Sequence, residues 1–111
     1  MTVLGTETEV MSTRRRLPNR REHELIEFEH GGLRYTAGIG RFNDGALAEI
    51  FLNTGKHGTA VDINARDAAV AASLLLQHGS SVDSLRHALT RNGDGSPSGP
   101  LARVLDLAGG I

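Results

Sequence analysis

Hydrophobic and polar positions first fall into a regular pattern at Leu25. From Leu25 to His30 (LIEFEH), Ile26 and Phe28 alternate with Glu27 and Glu29, the two-residue period of a half-buried strand. Gly31-Gly32 then supplies two residues free to take positive φ, as a tight hairpin turn requires. Leu33, Tyr35, Ala37 and Ile39 alternate with Arg34, Thr36 and Gly38, which predicts a second strand. Asn43-Asp44-Gly45 marks another turn, and Leu47 to Asn53 (LAEIFLN) reads as a third strand. The third strand is apolar on both faces apart from Glu49, so it is expected to be the best covered. Both connections are too short for crossovers, and the three strands therefore form an antiparallel meander in sequence order.

The period then changes. After a loop at Asn53–Gly58 (NTGKHG), Ala, Val and Leu dominate from about Asp62 to His78, with polar residues confined to Asn64, Arg66, Asp67, Ser73 and Gln77. A helix so apolar around its circumference is expected to be central and covered on more than one side. Gly79 is suited to end it. Ser80 or Ser81 can cap a further helix that carries Asp83 early, and Arg86, His87 and Arg91 late, an order that matches the helix dipole. Leu85, Ala88 and Leu89 form its apolar stripe, and Asn92-Gly93 is its expected end. A Gly/Ser/Pro loop leads to Pro100, which fits the first position of a last helix with Leu101, Val104, Leu105 and Ala108 on one side. The expected fold class is α+β: a three-stranded antiparallel meander, a central buried helix and two shorter helices. The expected organisation is a flexible basic arm over residues 1–23, one domain over 24–108 and a tail over 109–111.

Composition narrows the possible chemistry. The chain has 111 residues, enough for one domain, and a 39% hydrophobic fraction with only 4% aromatic, so Ala, Leu, Ile and Val must build the core. The absence of cysteine excludes a disulfide framework, a cysteine-ligated metal site and thiol chemistry on this chain. No apolar run reaches the length of a membrane span and the first residues are too polar for a signal peptide, so a cytoplasmic protein is expected. The net charge of −1 conceals an asymmetry: Arg14, Arg15, Arg16, Arg20 and Arg21 form a basic arm ahead of an acidic body.

Several residues qualify as site candidates. The arm arginines suit phosphates of nucleic acid or another ligand, an acidic protein face such as a second copy of the chain, or simple solvation. No aromatic residue lies among them to stack on bases. Gly55, Lys56 and Gly58 precede the long helix, where backbone N–H groups and a lysine can meet an anion. The P-loop spacing is not met there, and a plain turn explains the same residues. Asp62 and Asp67 suit the helix start, with Arg66 expected to pair with Glu49 or a neighbour. Glu49, alone on an apolar strand, is the carboxylate expected to have a perturbed pKa. His23, His30, His57, His78 and His87 are scattered without metal-ligand spacing, and no serine has a nucleophile-elbow context, so no catalytic residue, metal or cofactor is expected.

An ordered series of short motifs carries a resemblance. It runs Tyr35-Thr36-Ala37, Gly40-Arg41-Phe42, Asp44-Gly45, Leu47 to Leu52, Gly55-Lys56, Ala65 to Val70, Leu76 to Gly79, Leu85 to Leu89 and Ser98 to Leu101. Together these resemble the TSCPD domain, a C-terminal module of class II, adenosylcobalamin-dependent ribonucleotide reductases that also occurs as short stand-alone bacterial proteins. The resemblance covers about Arg14 to Leu107. It implies a link to ribonucleotide reduction and DNA biosynthesis, with a larger reductase subunit or another protein as partner and a homodimer as a further arrangement. The catalytic barrel of the reductases has no counterpart here, and Ser96 to Pro100 stands where the family pattern leads one to expect a cysteine. The function expected is that of a non-catalytic accessory or regulatory module acting through protein contact. The alternative is a nucleotide or nucleic-acid binding module that uses the arm and the Gly55–Gly58 loop.

Overall fold

A computed structural model of the chain describes residues 13–19 and 21–109. Three strands, β1 (Glu24–His30), β2 (Leu33–Arg41) and β3 (Leu47–Asn53), are followed by helices α1 (Ala60–Gln77), α2 (Val82–Ala88) and α3 (Pro100–Gly109). The sheet order is β1-β2-β3 and both pairs are antiparallel, as the alternation and the short connections require. Gly31 and Gly32 have φ of 59° and 80°, so the first hairpin turn uses the backbone freedom that only glycine offers cheaply.

Period two sorts the side chains. Ile26, Ala37 and Leu52 share one register row and face inward, together with Phe28, Tyr35, Ile39 and Ile50. Against them pack Ala65, Ala69, Ala72 and Leu76 of α1 and Val104, Leu105 and Ala108 of α3, which complete a core of aliphatic side chains and the stacked pair Phe28–Tyr35. The other sheet face carries Leu25, Gly38 and Phe51 in one row. Gly38 has no Cβ, so Phe51 and Leu25 lean over the central strand, within 3.5 and 3.9 Å of where a Cβ would stand.

β3 is the best-covered strand, as expected: although it forms an edge of the sheet, α1 lies along its free side. Two expectations need correction. α1 is not covered on more than one side: Val61, Ile63, Val70, Leu74 and Leu75 remain 40–54% exposed. Its alanines are what bring it close to the sheet, and the larger side chains turn outward. α2 ends at Ala88, short of Asn92-Gly93, because Leu89 takes an extended backbone and Arg91 bridges to Pro97 across a tight loop.

The α1–β3 contact is partly polar. Ser73 accepts the Ile50 N–H at 2.8 Å, and its hydroxyl lies 3.1 Å from the Ile50 carbonyl and 2.8 Å from that of Ala69. Gln77 donates from Nε2 to the Ala48 carbonyl at 3.0 Å. At the other end, Asp62 accepts from the Thr54 backbone N–H at 2.8 Å and from the Thr54 hydroxyl at 3.1 Å. An open strand edge presents unpaired backbone groups, and these three buried side chains pair them. Ser73→Ala should therefore cost about 1–3 kcal/mol, the cost of burying backbone groups with no partner, although it removes only one oxygen. Urea unfolding measures it, and a loss indistinguishable from zero would show that water replaces the hydroxyl.

Candidate functional site

The arm preceding β1 is held against the domain by its own arginines. Arg21 forms a two-pronged contact with Glu49, Nε to Oε2 at 2.8 Å and Nη2 to Oε1 at 2.7 Å. His23 Nε2 lies 2.8 Å from Glu49 Oε2, and its ring packs on Phe51 with centroids 5.1 Å apart. Arg14 donates to the Gln77 side-chain oxygen at 2.7 Å, and the Arg15 backbone N–H donates to the Gln77 carbonyl at 2.7 Å. Arg15 also lies 3.7 Å over the Phe42 ring and 3.1 Å from Asp44. Gln77 thus joins the arm, the end of α1 and the edge of β3.

Glu49 is the centre of this arrangement. It sits on the outer sheet face opposite Gly40, and a Cβ on Gly40 would stand 3.0 Å from Glu49 Oε2 and 3.2 Å from His23 Nε2. The glycine makes room for both. Hydrogen bonds from Arg21 hold the Glu49 carboxyl below its ordinary pKa and outweigh the effect of burial. The same contact raises Arg21. With both oxygens engaged, Glu49 is an anchor rather than a free base. The expectation that this carboxylate is perturbed holds, with Arg21 as its partner; of the two partners expected for Arg66, it takes the neighbour, Asp62, at 2.8 Å.

The other candidates are spread over the surface. Arg16 is exposed and makes no ion pair among the described residues; Arg20 lies outside the described residues. A cleft of about 810 Å³ between the arm and the end of β2 is lined by Arg15, Arg16, Arg21, His23, Arg41 and Phe42, with Glu22 and Glu24 balancing the charge. Gly55, Lys56 and Gly58 form an exposed turn, with φ of 79° and 82° at the glycines. The helix start behind them is already occupied, since Thr59 caps the Asp62 N–H and the buried Asp62 carboxylate supplies the negative charge. His30 contacts the Ser98 carbonyl and His57 contacts Arg66. Among the described residues, no group of three or more His, Asp or Glu side chains could hold a metal ion.

A second ion cluster was not foreseen. Arg86 and Arg91 both bind Asp106, at 2.9 and 2.7 Å, and tie α2 and the loop after it to α3. Arg91 before Arg86 holds the Asp106 carboxyl at about 2. The sequence signal was the basic residues Arg86, His87 and Arg91 late in the helix expected to end at Asn92-Gly93.

The comparisons place this chain beside a much larger enzyme. Over 81 residues, 73% of the chain, it is 35% identical to the vitamin B12-dependent ribonucleotide reductase of Bradyrhizobium diazoefficiens. The enzyme of the same name from Agrobacterium fabrum matches with the same identity over the same length. The chain is ribonucleotide reductase-related. It spans about 6% of the length of these curated relatives. No family model matches the chain, and no solved structure matches it. Among the described residues, no helix is long and apolar enough to cross a membrane.

Two outcomes are expected from the charge network. Glu49→Gln removes the anchor charge, so trypsin should cut after Arg14, Arg15, Arg16 and Arg21 several-fold faster than in the parent chain. Equal cleavage rates would mean that Glu49 does not hold the arm. Glu49, Asp62 and Asp106 all have lowered folded-state pKa values. Their contribution is complete above the ordinary carboxylate range and is lost as pH falls through the folded values, so stability should drop as pH falls from about 4 toward about 2. Unfolding midpoints across that range check the sign.

Proposed function

We propose that this chain is a non-catalytic accessory or regulatory module of the ribonucleotide reductase system, of the TSCPD type, acting by protein–protein contact. The observation that supports this reading is its similarity to one small part of reductases many times its length. Here Ile63, Val70 and Leu74 form an exposed apolar stripe on α1, and Leu25 and Phe51 an exposed pair on the sheet.

The partner is a larger reductase subunit. Used as bait in an extract of the source cell, the chain should retain a ribonucleotide reductase subunit, and the double variant Val70→Asp/Leu74→Asp should lose it. Both positions are exposed, so the variant is expected to keep the circular-dichroism spectrum of the parent. Recovery of no reductase subunit would count against the proposal.

A nucleotide or nucleic-acid reading rests on Arg16 and the cleft beneath the arm. It requires saturable binding that weakens with salt and is lost in Arg16→Ala.

A further inference from the structure

Docking of the arm on the domain encloses a small polar pocket. Arg14, Arg16, Asn19 and Arg21 of the arm line it, together with Glu49 of β3 and Gln77 of α1. Its volume is about 150 Å³. A water molecule takes about 30 Å³ in the liquid, so the pocket has room for about five water-sized groups, the size of one tetrahedral oxyanion.

The charge around this pocket is unbalanced, because three guanidinium groups share it with a single carboxylate. Arg21 commits Nε and Nη2 to Glu49 and Nη1 to the Pro18 carbonyl at 2.7 Å, so that pair cancels. Arg14 commits only Nε, and to a neutral acceptor, the Gln77 side-chain oxygen. Gln77 is itself buried and fixed by its bond to the Ala48 carbonyl, which gives Arg14 a rigid support. The terminal nitrogens of Arg14 and the whole guanidinium of Arg16 have no partner among the described residues. Two positive charges therefore remain, on planar forks whose N–H groups suit the oxygens of a phosphate.

The small pocket adjoins the larger cleft beneath the arm. Arg16, Leu17 and Arg21 line both, and the cleft of about 810 Å³ falls in the size range of small-molecule sites. Pro18, Ile39 and Phe42 give that cleft an apolar part, while Glu22 and Glu24 bring negative charge to it. Glu24 is paired with Arg41 at 3.3 Å, and Glu22 has no ion pair among the described residues. An anion is thus favoured in the small pocket and an uncharged body in the larger cleft.

We propose that the docked arm forms a site for a phosphate monoester. Its phosphoryl group would sit between the Arg14 and Arg16 guanidinium groups, and its organic body would extend past Leu17 into the larger cleft. This rests on the nucleotide reading given above and deepens it by naming the group that is recognised. It is independent of the exposed stripe on α1 and of the protein contact proposed there. Sugar phosphates and nucleotides share this chemistry, and the experiment separates them.

The full chain is titrated with adenosine monophosphate, ribose 5-phosphate, inorganic phosphate and adenosine at one ionic strength, followed by backbone and arginine side-chain NMR shifts. Both esters should saturate below about 5 mM, with the largest shifts at Arg14, Arg16 and Gln77. Inorganic phosphate and adenosine should each bind about tenfold or more weakly. Tighter binding of adenosine monophosphate than of ribose 5-phosphate would assign the larger cleft to a base, and equal binding would assign the site to sugar phosphates. Arg16→Ala should weaken both esters about tenfold. Arg16 makes no bond to the domain, so this variant should keep the arm docked, read as an unchanged rate of trypsin cleavage after Arg21. Glu22→Gln, which removes a like charge, should tighten both esters about twofold. The proposal is overturned if neither ester saturates, if adenosine or inorganic phosphate binds as tightly as the esters, or if Arg16→Ala leaves the affinities unchanged. Adenosine monophosphate binding that needs Arg16 while ribose 5-phosphate does not bind would also overturn it, and would leave the nucleotide reading standing.

Discussion

The structure depends on how one helix closes the free edge of a three-stranded sheet. A meander of this size leaves two edges, and the β3 edge would expose backbone donors and acceptors in the middle of the hydrophobic core. Asp62, Ser73 and Gln77 meet that edge from a single side of α1 and pair its polar groups. Alanines at 65, 69 and 72 let the helix approach closely enough for those bonds to form. Without both features, α1 would either stand off from β3 or bury unpaired amides.

This use of α1 has a consequence on its other side. A helix that spends its small and polar residues on the sheet leaves its larger aliphatic residues to face outward, where Ile63, Val70 and Leu74 recur on one face. The helix is therefore apolar around most of its surface although only one side meets the rest of the domain. The arm extends the same logic to the sheet. Arg21 and His23 converge on Glu49, and the His23 ring shields part of Phe51, so the outer face is partly covered by the segment that leads into β1.

Two of the arm's charges are thereby paired within the chain, Arg15 with Asp44 and Arg21 with Glu49. Arg14, Arg15 and Arg21 each have an internal acceptor, which makes the segment a strap more than a free polycation. Protein contact through the apolar stripe is consistent with that arrangement.

Local pattern alone determined the strands, their antiparallel order, the glycine turns, a serine cap at 80 or 81 and the apolar face of α3. These follow from periods of two and 3.6 residues and from the backbone freedom of glycine, which act over a few neighbours. Glu49 was legible as an anomaly because it interrupts an apolar run, but its partner was not, since Arg21 lies 28 residues away and reaches it only across the sheet. Separations of 23, 63 and 15 residues likewise hid the pairing of Ser73 with Ile50, of Gln77 with Arg14 and of Asp106 with Arg91. The sequence likewise showed that α1 is apolar all round, and only tertiary structure decided that one side alone is covered. Composition records how much apolar surface a helix carries; which part is buried depends on where the sheet edge runs and on which side chains are small enough to meet it.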